Sequence, residues 1–199
     1  MSKTIDYYHF LISPWSYLAI NRFNQLVASH DVKVNYKPIA VMPTFDKMGG
    51  VPPGKRHPSR QRFRMDELKR WSAFLDVPMN FQPAYFPADC SMASRMVIAA
   101  SDQGLNAGAL SDAVLTAVWN EEKNVADNDT LVEISNDCNL NGDGLLAKAS
   151  EDEYGERFVE LTNEAHQRDV FGSPTYVVDG ENFWGQDRLE FLDRFLSGN

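Results

Sequence analysis

Ser13-Pro14-Trp15-Ser16 follows the apolar run Ile5-Asp6-Tyr7-Tyr8-His9-Phe10-Leu11-Ile12, so the Ser13 hydroxyl stands where a strand hands over to a helix. Proline favours the first helical position, because its φ is preset and its missing N–H would be unpaired there anyway; Ser13 then falls at the cap. Free backbone N–H groups and the positive end of the helix dipole surround that hydroxyl, a setting that stabilises an anion, either phosphate or thiolate. A serine before a proline is equally an ordinary helix cap, and the motif alone leaves both readings standing.

A second signal lies near the other end, in Gly172-Ser173-Pro174-Thr175-Tyr176-Val177-Val178-Asp179-Gly180-Glu181-Asn182-Phe183-Trp184-Gly185-Gln186-Asp187-Arg188-Leu189. Asp179-Gly180 between two apolar runs is the preferred two-residue hairpin turn, and a helix follows. Pro174 opens the first strand of the pair, where a missing N–H is tolerated and a cis bond is compatible with the pattern.

With both signals in place the chain resembles the thioredoxin superfamily: a β-α-β start, a helical insertion, then a cis-proline, a hairpin and a terminal helix. The fold class expected is α/β, a thioredoxin-like fold with an inserted all-helical domain. Residues 1–43 and 170–199 form the thioredoxin-like part; residues 44–169 form the helical insertion, whose last helix leads back. Ser13-Pro14-Trp15-Ser16 occupies the place of the Cys-Pro-x-Cys redox motif of DsbA-like proteins, with both cysteines gone. A hydroxyl cannot form a disulfide, so dithiol exchange is excluded at this site. It can still donate a hydrogen bond to a sulfur brought from outside.

Holding the thiolate of glutathione in this way is the arrangement of kappa-class glutathione transferases and of 2-hydroxychromene-2-carboxylate isomerases, and Ser-Pro-Trp-Ser-Tyr-Leu-Ala is similar to the isomerase version. The resemblance implies a catalytic Ser13 holding the sulfur, with Trp15 beside it. The main chain of Ser173, before Pro174, would pair with the cysteinyl unit as an added strand, and Gln186 and Asp187 would meet the γ-glutamyl end. Asp187 also has the position of a cap for the last helix. Two departures stand out: the segment Lys47 to Gly54 lacks the asparagine the family carries there, and residue 173 is a serine where such proteins carry a branched apolar residue.

The activity expected is therefore that of a glutathione-dependent isomerase acting on an aromatic, ring-openable carboxylic acid. A kappa-like transferase or peroxidase is the near alternative, separated by whether glutathione is consumed. A non-catalytic thioredoxin-like binding module is the alternative from another class, separated by whether glutathione raises thermal stability. Relatives of this family are often dimers, which makes a homodimer the expected assembly.

The elements between the two signals fit this plan. Residues 32–39 alternate as a second strand, closed by Pro38 and a Met42-Pro43 loop, and helical periodicity covers 59–75, 91–103, 106–123, 129–138 and 152–169. Trp15, Phe45, Trp71, Phe74, Tyr85, Phe86 and Trp184 offer flat apolar surface for an acceptor pocket, or for the core. A net charge of -9 argues against nucleic acid as a partner, since that binding neutralises phosphates with a basic surface. One basic stretch, Lys55-Arg56-His57-Pro58-Ser59-Arg60-Gln61-Arg62-Phe63-Arg64, reads either as a solvated helix face paired with Asp66 and Glu67 or as an anion-steering rim. In the second reading Arg56, His57, Arg60 or Arg64 meets a substrate carboxylate.

No apolar stretch approaches the ~20 residues a membrane helix requires, and the first residues lack the apolar block of a secretory signal, which points to the cytoplasm. Cys90 and Cys138 are far apart and unlike a redox pair, and the four histidines lack ligand spacing, so no metal site is expected. Asp137 to Gly144 begins like a calcium loop but has Lys148 at its twelfth position, and reads as a helix-helix turn.

Overall fold

The computed structural model describes residues 3–198. Strand β1 (Lys3–His9) leads through helix α1 (Pro14–Ser29) to β2 (Val32–Pro38). Seven helices follow: α2 (Val41–Met48), α3 (Pro58–Leu75), α4 (Ser91–Asp102), α5 (Ala107–Trp119), α6 (Asn128–Asp137), α7 (Gly142–Ala149) and α8 (Asp152–Gln167). The hairpin β3 (Thr175–Val178) and β4 (Glu181–Trp184) and helix α9 (Leu189–Leu196) close the chain. The sheet runs β2-β1-β3-β4, with β1 and β2 parallel and the remaining pairs antiparallel. This is the thioredoxin-like α/β fold that the sequence led us to expect.

Alternation along β1 sends Ile5 and Tyr7 to one face, where they pack with Tyr176, Val178, Phe23 and Leu26, under α1 and α9. Tyr8 and Val177 point the other way, onto Ile39, Ala165 and Val170 beneath α8. A third, larger core fills the helical body around the fully buried Trp119, with Leu68, Met96, Leu115 and Leu131. Leu11, Tyr17 and Leu18 belong to that helical core, so the turn carrying Ser13 is anchored on both sides by burial worth roughly 1.5–3 kcal/mol per large side chain.

The hairpin turn is as its residues require: Asp179 and Gly180 both take positive φ, 51° and 88°, the mirror-image turn that matches strand twist. Two elements differ from expectation. The segment around Met42-Pro43 is helix α2 rather than a loop, because Pro43 falls in the first turn, where its missing N–H would be unpaired in any case. The stretch 137–144 holds the expected helix-helix turn, between α6 and α7, and α7 is capped by Asn141, whose Oδ1 accepts from the Gly144 N–H at 3.0 Å. α5 ends at Trp119 rather than 123, as the N–H groups of Glu121 and Lys123 fold back onto the carbonyls of Thr116 and Ala117.

Candidate active site around Ser13

Ser13 caps α1 with extended backbone (φ -77°, ψ 120°), and its Oγ accepts from the Ser16 N–H at 3.2 Å. The Ser13 O–H donates to the Ser173 carbonyl at 3.3 Å, which brings the two sequence signals, 160 residues apart, into contact. Ser13 is 6% exposed and Ser173 7%, and the Ser173–Pro174 bond is cis. The register of β3 against β1 and β4 ends at Thr175, so the Ser173 main chain lies beyond the ladder, where an added strand can pair with it.

Further polar contacts bind this point together. The Ser173 Oγ accepts from the Phe10 N–H at 2.8 Å and lies 2.8 Å from the Ser16 Oγ. Thr175 Oγ1 donates to the Gly172 carbonyl, and the Gly185 N–H donates to the Pro174 carbonyl at 2.9 Å. A Cβ on Gly172 would run into Trp184 Nε1, so the indole lies directly over that residue. Trp184 is half exposed and meets the Phe171 ring at 4.7 Å between centroids, forming an aromatic ledge beside Ser173.

The turn expected at the γ-glutamyl end is built around Gly185, whose φ of 109° suits only glycine. Gln186 is 2% exposed, and its main-chain oxygen and Oε1 both accept from Arg22 Nη1, at 3.1 and 3.2 Å. Arg22 thus braces the Gly185–Gln186 turn, a contact that sequence reasoning passed over, since nothing local marks a helix arginine as the partner of a turn 164 residues on. Asp187 is exposed and pairs with Arg188 at 2.6 Å; α9 starts only at Leu189 with no side-chain cap, so the carboxylate is not spent on capping it.

The expected pocket aromatics divide. Phe45 packs edge-on against Phe10, three residues before Ser13, at 5.9 Å, and Trp184 covers Gly172. Trp15 is partly buried against the helical core, Phe86 packs on Trp119 at 4.9 Å, and Phe74 and Tyr85 lie on the surface. In the basic segment His57 caps α3, its Nδ1 accepting from the Ser59 N–H at 3.3 Å. Arg56 donates through Nε to the Val51 carbonyl at 2.7 Å. The pairing with nearby carboxylates that one reading foresaw goes elsewhere, since Glu67 binds Arg70. Among the described residues, Lys55, Arg56, Arg60, Arg62 and Arg64 have no carboxylate within ion-pair distance. Burial and then the charge of Arg60 lower the Arg56 guanidinium, and burial and then Arg56 lower Arg64, so Arg56 stands between two like charges.

Beneath the site, burial shifts the titratable groups towards their neutral forms. His9 is fully buried, stacked on Tyr7 at 4.3 Å with Nε2 2.6 Å from Ser111 Oγ, and burial holds it down at about 4. Burial pushes the Asp112 carboxyl up to about 6, against a hydrogen bond from Asn24 at 2.7 Å that favours its charge. Burial likewise pushes the Cys90 thiol up to about 11 and raises Cys138, so neither thiol is poised to replace the missing nucleophile.

The fold and site together define a thioredoxin-fold protein whose redox cysteines are replaced by hydroxyls. A family model for the DSBA-like thioredoxin domain matches residues 4–197. The chain is 31% identical to 2-hydroxychromene-2-carboxylate isomerase of Sphingobium xenophagum over 98% of its length and 99% of that protein's. It is 24% identical to glutathione S-transferase kappa 1 of Caenorhabditis elegans, covering 96% of this chain and 90% of that one. The chain belongs to the DSBA-like thioredoxin family and, within it, to the 2-hydroxychromene-2-carboxylate isomerase family. Among solved structures, it superposes on a 2-hydroxychromene-2-carboxylate isomerase with a TM-score of 0.85 at 24% identity, covering 98% and 95% of the two chains. The cytosolic disulfide reductase DsbM of Pseudomonas aeruginosa with GSH matches with a TM-score of 0.69 at 17% identity, covering 98% and 99%.

Proposed function

We propose that the chain is a glutathione-dependent isomerase of an aromatic, ring-openable carboxylic acid such as 2-hydroxychromene-2-carboxylate. The observation that carries this reading is the Ser13 hydroxyl, held at the N-terminus of α1 against the main chain of Ser173 and cis-Pro174 where DsbA-like proteins keep a cysteine. The isomerase name of relatives near 30% identity supports the reaction class, and the kappa transferase and the GSH-bearing DsbM structure support glutathione.

Glutathione, when bound, supplies a thiolate that adds reversibly to the conjugated acid, permits rotation about the bond so loosened and leaves unchanged. The chain's own residues make that sulfur an anion and bring the acid to it. Ser13 donates one O–H to the sulfur, and the helix N-terminus behind it favours negative charge. Ser173 offers its main chain to the cysteinyl unit, while Gln186 and Asp187, on the turn braced by Arg22, take the γ-glutamyl end. Trp15, Phe45 and Trp184 supply flat apolar surface to the ring. Arg56 and Arg60, with Arg64 beside them and no carboxylate of their own, meet the substrate's carboxylate; His57 flanks them at the start of α3. A homodimer and a cytoplasmic setting complete the proposal on the family resemblance; no helix among the described residues is long and apolar enough to cross a membrane.

The test is to follow 2-hydroxychromene-2-carboxylate by ultraviolet absorbance with and without glutathione. Isomerisation that requires glutathione and returns all of it is the expected result. Stoichiometric consumption of glutathione would move the chain to the transferase reading, and turnover indifferent to glutathione would remove both.

A further inference from the structure

Three serine hydroxyls meet where α1, the end of β1 and the start of β3 converge, and they hold unequal bonds. The Ser173 Oγ is gripped at 2.8 Å by the Phe10 N–H and sits 2.8 Å from the Ser16 Oγ, so one atom ties all three segments together. Ser16 is fully buried and Ser173 nearly so. By contrast the Ser13 O–H reaches the Ser173 carbonyl at 3.3 Å, beyond the ordinary O–H···O length of about 2.7–2.8 Å. The strong bonds fix the position of residue 173, and the weak one rests on its carbonyl.

We propose that Ser16 and Ser173 are positioning residues for an exchange of hydrogen-bond donors at that carbonyl, an inference that rests on the reading of Ser13 as the donor to sulfur. Without ligand the Ser13 O–H is parked on the Ser173 carbonyl. When the cysteinyl amide of the peptide pairs with the carbonyl as an added strand, its N–H displaces the hydroxyl, which turns to the sulfur. One O–H···O bond is given up for one N–H···O and one O–H···S⁻; the one covalent bond that breaks is the thiol S–H, whose proton passes to solvent water. The direction is downhill, because a donor bound to an ionised acceptor forms a bond roughly twice as strong as one to a neutral acceptor. The clip makes this work by holding the carbonyl within reach of both donors; removing either hydroxyl also leaves a buried polar group without its partner. The site therefore ionises a thiol that arrives with a peptide amide and leaves a bare thiol protonated, a selection for glutathione over small thiols.

The experiment titrates the thiol of bound glutathione by its thiolate absorbance, in the unaltered protein and in Ser16→Ala, Ser173→Ala and Ser173→Thr. Both alanine variants are expected to raise the bound-thiol pKa by about half a unit or more, and the threonine, which keeps the hydroxyl, to restore it. Affinity for S-methylglutathione, which has no thiol to ionise, should move by less than about threefold, separating positioning from simple loss of binding. A second measurement needs no variant: the glutathione analogue in which the cysteinyl N–H is replaced by an ester oxygen, at saturation, should keep a higher thiol pKa than glutathione on the unaltered protein. Unchanged pKa values in both alanine variants, or an ester analogue that ionises like glutathione, would overturn the exchange. If Ser13→Ala raises the bound-thiol pKa while these do not, this proposal alone fails; if the unaltered protein does not lower it, the thiolate reading fails and takes the exchange with it.

Discussion

At the Ser13 end of the sheet the converging side chains are neutral hydroxyls, whereas under α8 the same sheet carries charges that are all paired. There Lys37 reaches Asp6 at 3.1 Å and Glu164 at 2.8 Å, Arg168 reaches the same two carboxylates at 3.0 and 3.2 Å, and Tyr8 donates to Glu164 at 2.7 Å. Asn35 fills a remaining acceptor of Asp6. Such a network staples β1, β2 and α8, and each of its charges already has a partner of opposite sign. The hydroxyl cluster holds no charge of its own, so an incoming anion meets donors and a helix dipole without first breaking an ion pair.

Breaking the comparison at the neutral end gives the largest effect. Ser13→Ala should lower isomerase turnover about a hundredfold, the usual cost of deleting one donor to a developing anion, while the melting temperature falls by only about 2–4 °C, the cost of one lost helix cap. Steady-state kinetics beside a thermal melt check this, and an equal loss of stability and activity would reassign Ser13 to the fold.

Two carboxylates sharpen the contrast through pH. On the α1 side Asp112 has no cation within ion-pair distance among the described residues, and burial raises it to about 6. Its native state therefore holds a proton that the unfolded state has lost, so it costs stability above about pH 6 and returns that stability as pH falls towards 3.8. Asp112→Asn should stabilise the protein at pH 8 by about 1–2 kcal/mol and have little effect near pH 4. Glu164 has the opposite sign. Burial alone would raise it, but hydrogen bonds from Lys37 and Tyr8 bring it below its ordinary value, so its stabilisation is present at neutral pH and is lost as pH falls through that lowered value. Glu164→Gln should cost about 1 kcal/mol at pH 7, discounted because the pair is partly exposed, and nothing at low pH. Denaturant melts across pH 4 to 8 measure both.

Much of this division could be read along the chain. The Ser-Pro cap and the Asp-Gly turn were legible because each is a local backbone demand. α2 was not, since a proline three residues into a helix is hard to tell from one in a loop. Ser16 and Ser173, Arg22 and Gln186, and His9 and Ser111 meet across 102 to 164 residues, and no local pattern reports such contacts. Nor could spacing separate Phe45, placed beside Phe10, from Phe86, placed on Trp119 in the core, because the ring each one meets lies more than 30 residues away in sequence.

The smallest effect expected lies on the basic rim. Arg60→Ala should raise KM for the organic acid severalfold with kcat little changed, and the difference should shrink as salt rises, because an exposed guanidinium contributes attraction that screening removes. A salt-independent KM would place the acid's carboxylate elsewhere.

The most direct test of Ser13 as holder of a borrowed sulfur is the thiol titration of glutathione bound to the unaltered protein and to Ser13→Ala. A thiol pKa well below that of free glutathione, moving back by a unit or more in the variant, is the result expected. Identical titrations in the two proteins would contradict it.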